Sequence, residues 1–213
     1  MKKDFWIKKW EKNDIGFHEG EPNALLVDCF ESISLVAGSR IFLPLCGKTR
    51  DIAWLLSKNY CVAGIELSKM AVDQLFLELD IKPDITDVGS LKHYSATNID
   101  IFVGDIFDLT SSALGPIDFT YDRAALVALP EEMRSRYSPH LFDITNGSRQ
   151  LLLCFEYDQS VMEGPPHSID ANEVRRLNES RYDIRMLVSS DVPGGLKGKC
   201  EATESAWLLQ PKS

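Results

Sequence analysis

The chain has 213 residues, 44% of them hydrophobic and 26% charged, with a formal net charge of −9. That composition excludes a disordered or collagen-like protein, and without an apolar run of about 18 residues no membrane-spanning helix is expected. The acidic balance, with no cluster of cations beyond Lys197-Gly-Lys199, argues against nucleic acid as a partner. The opening Met1-Lys2-Lys3-Asp4-Phe5-Trp6 lacks the apolar stretch of a signal peptide. The five cysteines, at 29, 46, 61, 154 and 200, show no CxxC spacing, so neither a metal site nor a disulfide framework is expected. Reduced thiols in a cytoplasmic protein fit this usage.

One domain is expected over residues 1–213, with 1–20 set apart as an aromatic N-terminal flap. Trp6 and Trp10 stand four apart among charges, which places both indoles on one face of a short helix. Such a face staples the helix to the core or closes over a site. Pro22 suits a helix start, and Leu25, Leu26, Cys29 and Phe30 follow at helical spacing. Residues 40–44 are a short apolar strand and 51–56 a helix. The second strand is 61–65. Ser68 N-caps a helix to Leu79. The third strand, 99–103, forms a hairpin with 91–94. The fourth is 117–121, followed by a helix over 131–141 opened by Pro130. The fifth is 150–155, the most apolar run in the chain. After a helix at 172–178, strands 182–189 and 201–209 close the chain with no helix between them.

Alternating strands and helices predict an α/β fold with a doubly wound, mostly parallel sheet. Seven strands are expected, with helices on both faces and an antiparallel edge strand. This Rossmann-like pattern is that of the class I methyltransferases that use S-adenosylmethionine. Ligands in such sheets lie across the carboxyl ends of the strands. After the first strand comes Pro44-Leu45-Cys46-Gly47-Lys48, whose single glycine permits close backbone approach but is not the GxGxxG of a pyrophosphate cradle. Glu66 ends the second strand and suits a ribose diol. It is expected to matter for the cofactor and not for ligand-free stability; the rival reading is an exposed charge at a helix N-terminus. After the third strand, Asp105 suits an adenine amino group and Ile106 its ring. After the fourth, Arg123 can fork a carboxylate, or pair with Asp122 or another acid.

The chain also resembles the thiopurine S-methyltransferase family from Trp6 to near its C-terminus. The marks are Trp6, Trp10 and Phe17-His18, then Phe42-Leu-Pro-Leu-Cys-Gly-Lys48, Gly64-Ile-Glu-Leu-Ser68, Asp105-Ile-Phe-Asp-Leu109, Asp122-Arg-Ala-Ala-Leu-Val-Ala128 and Gly164-Pro-Pro166. The resemblance implies that Trp10, Leu45, Glu66 and Arg123 contact S-adenosyl-L-methionine, with Trp6, Asp105 and Ile106 close by. It implies that Phe17 lines the acceptor pocket. It is similar to the bacterial members, which are associated with selenium and tellurium oxyanions as well as thiopurines, although Lys8 and Lys9 stand where vertebrate relatives are more acidic.

The expected activity is transfer of a methyl group from S-adenosylmethionine to the sulfur of a small aromatic or heterocyclic thiol, or to a metalloid oxyanion, leaving S-adenosyl-L-homocysteine. A monomer is expected. Because the sulfonium methyl is already activated, the protein chiefly positions the reactants and excludes water, and no dedicated base or other catalytic residue is assigned. His18 reads as a structural or capping histidine, with general base as the alternative. Cys46 is not expected to act as a nucleophile. The sequence leaves two rivals. A nicotinamide-dependent oxidoreductase on the same fold is disfavoured by the single-glycine loop; a non-catalytic module that binds S-adenosylmethionine would show no turnover.

Overall fold

The computed structural model of the protein describes residues 3–16 and 18–212. Its nine strands are β1 (Arg40–Pro44), β2 (Cys61–Glu66), β3 (Asp84–Val88), β4 (Leu91–Ala96), β5 (Ile99–Val103), β6 (Phe119–Asp122), β7 (Arg149–Tyr157), β8 (Tyr182–Asp191) and β9 (Ala202–Pro211). They form one sheet in the order β3-β4-β5-β2-β1-β6-β7-β9-β8. The helices are α1 (Lys3–Glu11), α2 (Ala24–Ile33), α3 (Arg50–Ser57), α4 (Lys69–Glu78), α5 (Ser111–Leu114), α6 (Glu131–Ile144) and α7 (Ala171–Asn178).

The sheet has nine strands among the described residues, not the seven expected. The five central strands are parallel, as anticipated. Both edges are antiparallel: β9 and β8 on one side, and β4 with β3 on the other. The strand missed altogether is β3. Its sequence, Asp84-Ile-Thr-Asp-Val88, is largely exposed, so it lacks the apolar alternation by which a half-buried strand is recognised. Backbone pairing to β4 makes it a strand.

Helices cover both faces. Leu26, Ile52, Val72 and Leu75 of α2, α3 and α4 pack on one side of the sheet with Ile41, Leu43, Leu151 and Leu153. Tyr137, Leu141 and Val174 of α6 and α7 pack on the other with Phe42, Ile65 and Leu152. Helix starts follow their caps. Asn23, next to the expected Pro22, accepts from the Leu26 N–H, and Ser68 accepts from the Ala71 N–H as expected. Strand order reverses beside β1, so the crevice of this doubly wound sheet opens at the carboxyl ends of β1, β2, β5, β6 and β7.

Candidate active site

A cavity of about 880 Å³ opens at those strand ends. Trp6, Trp10, Leu45, Glu66, Asp105, Ile106 and Arg123 all line it, so the seven residues singled out along 118 positions of sequence meet in one place. Phe17, expected in the acceptor pocket, lies outside the described residues.

The loop after β1 is shaped for close approach. Leu45 has a φ of 47° and Gly47 one of 53°, a left-handed conformation that strains a side chain such as leucine and suits glycine. A Cβ on Gly47 would come within 3.0 Å of the Trp10 ring. Trp10 is accordingly buried against the loop, while Trp6, one turn earlier on α1, is half-buried. The two indoles share a helix face as their spacing predicted.

Glu66 is buried, which rules out the reading as an exposed helix charge. Its carboxylate accepts from the Gly47 N–H at 2.9 Å and the Ser68 N–H at 2.8 Å. Burial pushes its pKa up, and the Ser68, Gly47 and Leu67 amides pull it back. Because it braces two loops before any ligand arrives, the expectation that it leaves ligand-free stability untouched is corrected: a buried amide that loses its acceptor carries a penalty. The neighbouring Cys46 thiol is pushed far up by burial and by Glu66, so it is an inert thiol.

Asp105 accepts from the Phe107 N–H, and the following turn places buried Ile106 at the cavity wall. His140 of α6 donates from Nε2 to the Ile106 carbonyl at 2.7 Å and so props this turn from behind. His93, similarly unassigned in the sequence, sits 2.9 Å from Asp100 and stacks on Phe102. His18 is half-buried at the cavity, and burial together with Lys48 lowers its pKa.

Arg123 does not pair with Asp122. Asp122 points into the core, where it accepts from the Leu126 N–H at 3.0 Å and the Tyr137 hydroxyl at 2.7 Å. Burial raises its pKa to about 6. Arg123 instead faces the cavity and forms an ion pair with Glu19, which the sequence reading did not single out. Burial works against the guanidinium charge, and the Glu19 carboxylate outweighs it.

Asn23 links this corner to the fold. Its backbone N–H donates to Asp51 at 2.7 Å, and its side-chain amide reaches toward Glu19. Tyr121 adds a hydroxyl to Asp51 at 3.1 Å. The cavity also has apolar lining, from Phe155, Met162, Pro165, Pro166, Val192 and Leu196. Lys197 donates to the Pro165 carbonyl at 2.8 Å and ties two of these wall segments together. Lys9 and Lys199 stand on the same wall. Among the described residues no cluster of His, Cys, Asp and Glu is arranged to hold a metal ion, and no helix is long and apolar enough to cross a membrane.

A switch-point cavity with a carboxylate after β2, a strained single-glycine loop after β1 and an antiparallel β9–β8 edge has the architecture of the class I methyltransferases. Solved structures agree on the fold. An S-adenosylmethionine-dependent methyltransferase from Anabaena variabilis superposes with a TM-score of 0.65 at 16% identity, covering 98% of this chain and 94% of that one. A Burkholderia thailandensis 1,6-didemethyltoxoflavin N1-methyltransferase, solved with S-adenosylhomocysteine, gives 0.66 at 13% identity over 99% of this chain and 87% of that one. The thiopurine S-methyltransferase family model matches residues 1–208. The thiopurine S-methyltransferase of Xanthobacter autotrophicus is 52% identical, covering 99% of both chains, and that of Teredinibacter turnerae is 50% identical, covering 98% of this chain and 97% of that one.

The chain belongs to the thiopurine S-methyltransferase family. It is an S-adenosylmethionine-dependent S-methyltransferase, as the sequence led one to expect. The residues present suit that cofactor: a buried carboxylate at the end of β2, and a loop in which a Cβ at Gly47 would fill the space beside Trp10.

Proposed function

We propose that this enzyme methylates the sulfur of small aromatic or heterocyclic thiols, thiopurines among them, and that residues 1–20 form its flap. The observation that carries the reading is the mixed lining of one cavity. Loop residues and carboxylates come from the ends of β1, β2 and β5, and Phe155, Met162, Pro165, Pro166, Val192 and Leu196 add apolar surface. When bound, S-adenosylmethionine supplies an electrophilic methyl on a sulfonium. Glu66 retains lone pairs for a ribose diol while it holds the loop amides. Asp105 and Ile106 suit the adenine, and Trp10 and Leu45 shape the loop against the rest of the cofactor.

Arg123 suits a carboxylate or an anionic acceptor, and Glu19 neutralises it in their place. Phe155, Met162 and Pro165 offer apolar surface to a planar ring and exclude water from the sulfur. Trp6 and Trp10 on α1 supply the flap that covers the site. Lys9, Lys197 and Lys199 suit selenium or tellurium oxyanions as further acceptors, because cations on a cavity wall favour anions. Five free cysteines suit a reducing cytoplasm, and a monomer with a small-molecule acceptor completes the reading.

The test is an acceptor screen with methyl-labelled cofactor over thiopurines, thiophenols, selenite and tellurite. Label is expected in the thiols, with S-adenosylhomocysteine as co-product. Transfer to oxygen or nitrogen acceptors alone would overturn the thiol reading, and label in thiols but not in the oxyanions would remove the metalloid part.

A further inference from the structure

Several carboxylates border the cavity, and most are engaged elsewhere. Asp51 receives the Asn23 backbone, the Thr49 hydroxyl and the Tyr121 hydroxyl. Glu66 holds loop amides, and Glu19 is paired with Arg123. Glu204 has the Asn23 side-chain amide as a neighbour and, among the described residues, carries no loop backbone or ion pair. It lies on β9 directly across from Phe155 of β7, which also lines the cavity. It shares its strand face with Ala206 and Leu208, both buried on the α2–α3 side of the sheet. A carboxylate stands there in line with core residues and lines the same cavity.

We propose that Glu204 accepts the proton of the incoming thiol. The S–H bond breaks and an O–H bond forms on the carboxylate. The electron pair stays on sulfur, and the resulting thiolate is the nucleophile of the methyl transfer proposed above, on which this inference rests. Glu204 returns the proton to solvent when the product leaves.

The surroundings tune it for that exchange. Burial raises its pKa, and Glu19 raises it further, whereas Arg123 and the Asn23 amide lower it. A carboxylate held above its usual range is a better match for the proton of an aromatic thiol. On the β8 side its register partner is the uncharged Ser190. Lys199 lines the same cavity and favours the thiolate once it forms, whereas Lys9 is paired with Asp14 and Lys197 with the Pro165 carbonyl. The assignment was legible in principle as an acid in phase with Ala206 and Leu208, but nothing local marked that face as part of a site.

The experiment compares wild type with Glu204→Gln over a panel of thiols, from acids already ionised at the assay pH to weak acids. For weakly acidic thiols kcat/KM is expected to fall about a hundredfold or more, and the acid limb of the wild-type pH profile should disappear. For ionised thiols the loss should stay within about threefold, since little proton transfer remains to be catalysed. A readout independent of turnover is infrared difference spectroscopy of the protein–S-adenosylhomocysteine complex. Adding a weakly acidic thiol should raise a carboxylic-acid band in wild type that Glu204→Gln lacks. Equal loss across the panel would make Glu204 a wall of the pocket and overturn the proposal, as would no loss at all. Should the variant not fold, the wild-type spectrum decides, because no carboxylic-acid band there overturns the proposal too. These failures occur with an active wild-type enzyme, whereas failure of the thiol reading itself shows as a wild type that methylates no thiol.

Discussion

The ends of β2 and β6 face the same cavity and solve the same problem differently. At the end of β2 one carboxylate has two duties: Glu66 holds the Gly47 and Ser68 amides and also borders the cavity. At the end of β6 two adjacent residues divide those duties. Asp122 turns inward to fix the backbone at Leu126 and the Tyr137 hydroxyl, and Arg123 turns outward, held by Glu19 from the segment before α2. Under the proposed function, the first arrangement couples ligand affinity to the fold, and the second separates the two and ties Arg123 to the N-terminal region.

The largest expected effect strikes the coupled end. Glu66→Ala strands two buried loop amides, each worth about 1–3 kcal/mol. The ligand-free melting temperature and the S-adenosylhomocysteine affinity measured by calorimetry should fall together. An affinity loss at unchanged melting temperature would uncouple the two duties and break the comparison.

The next effect belongs to Asp122. Its pKa of about 6 lies above the roughly 3.9 of an unfolded aspartate. Between about pH 4 and 6 the folded state keeps a proton that the unfolded chain has lost. The stability this confers is whole below about pH 4 and lost as pH rises through about 6, with a span near 3 kcal/mol at most. Denaturant midpoints of Asp122→Asn should lack this part of the wild-type pH slope, while cofactor affinity stays put. A slope identical to wild type would show that the Asp122 carboxyl titrates normally.

Arg123 sharpens the contrast from the other side. Arg123→Lys keeps the charge and loses the planar fork, so a ligand KM should rise roughly tenfold, equivalent to about 1.4 kcal/mol. Measuring cofactor and acceptor constants separately assigns the residue to one ligand. Glu19→Gln should remove about 1–2 kcal/mol of stability, an intermediate figure because Arg123 is mostly but not fully buried and Glu19 is half-exposed. The two variants combined should be non-additive; additivity in melting and KM would mean the pair is incidental.

The smallest effect tests the link to α1. Proteolysis near Lys8 and Lys9 is expected to slow several-fold with saturating S-adenosylhomocysteine. An unchanged cleavage rate would leave Trp6 and Trp10 as plain staples of α1 to the loop after β1.

Periodicity and caps were enough to place the five parallel strands, the Ser68-capped helix and the closing antiparallel pair, because those signals are local and repeat every two or 3.6 residues. The rule that ligands lie at the carboxyl ends of parallel strands then brought Leu45, Glu66, Asp105 and Arg123 to one cavity from their chain positions alone. What local pattern cannot encode is which distant groups meet. Exposed β3 became a strand through pairing with β4. Glu66 reaches Gly47 across 19 positions, His140 props Ile106 across 34, and Arg123 takes its counter-ion from Glu19 and not from adjacent Asp122. Glu204 enters the cavity because β9 folds back against β7. Each depends on the path of the chain through space, and burial there removes water as the competing partner, so only the assembled fold decides which polar groups satisfy one another.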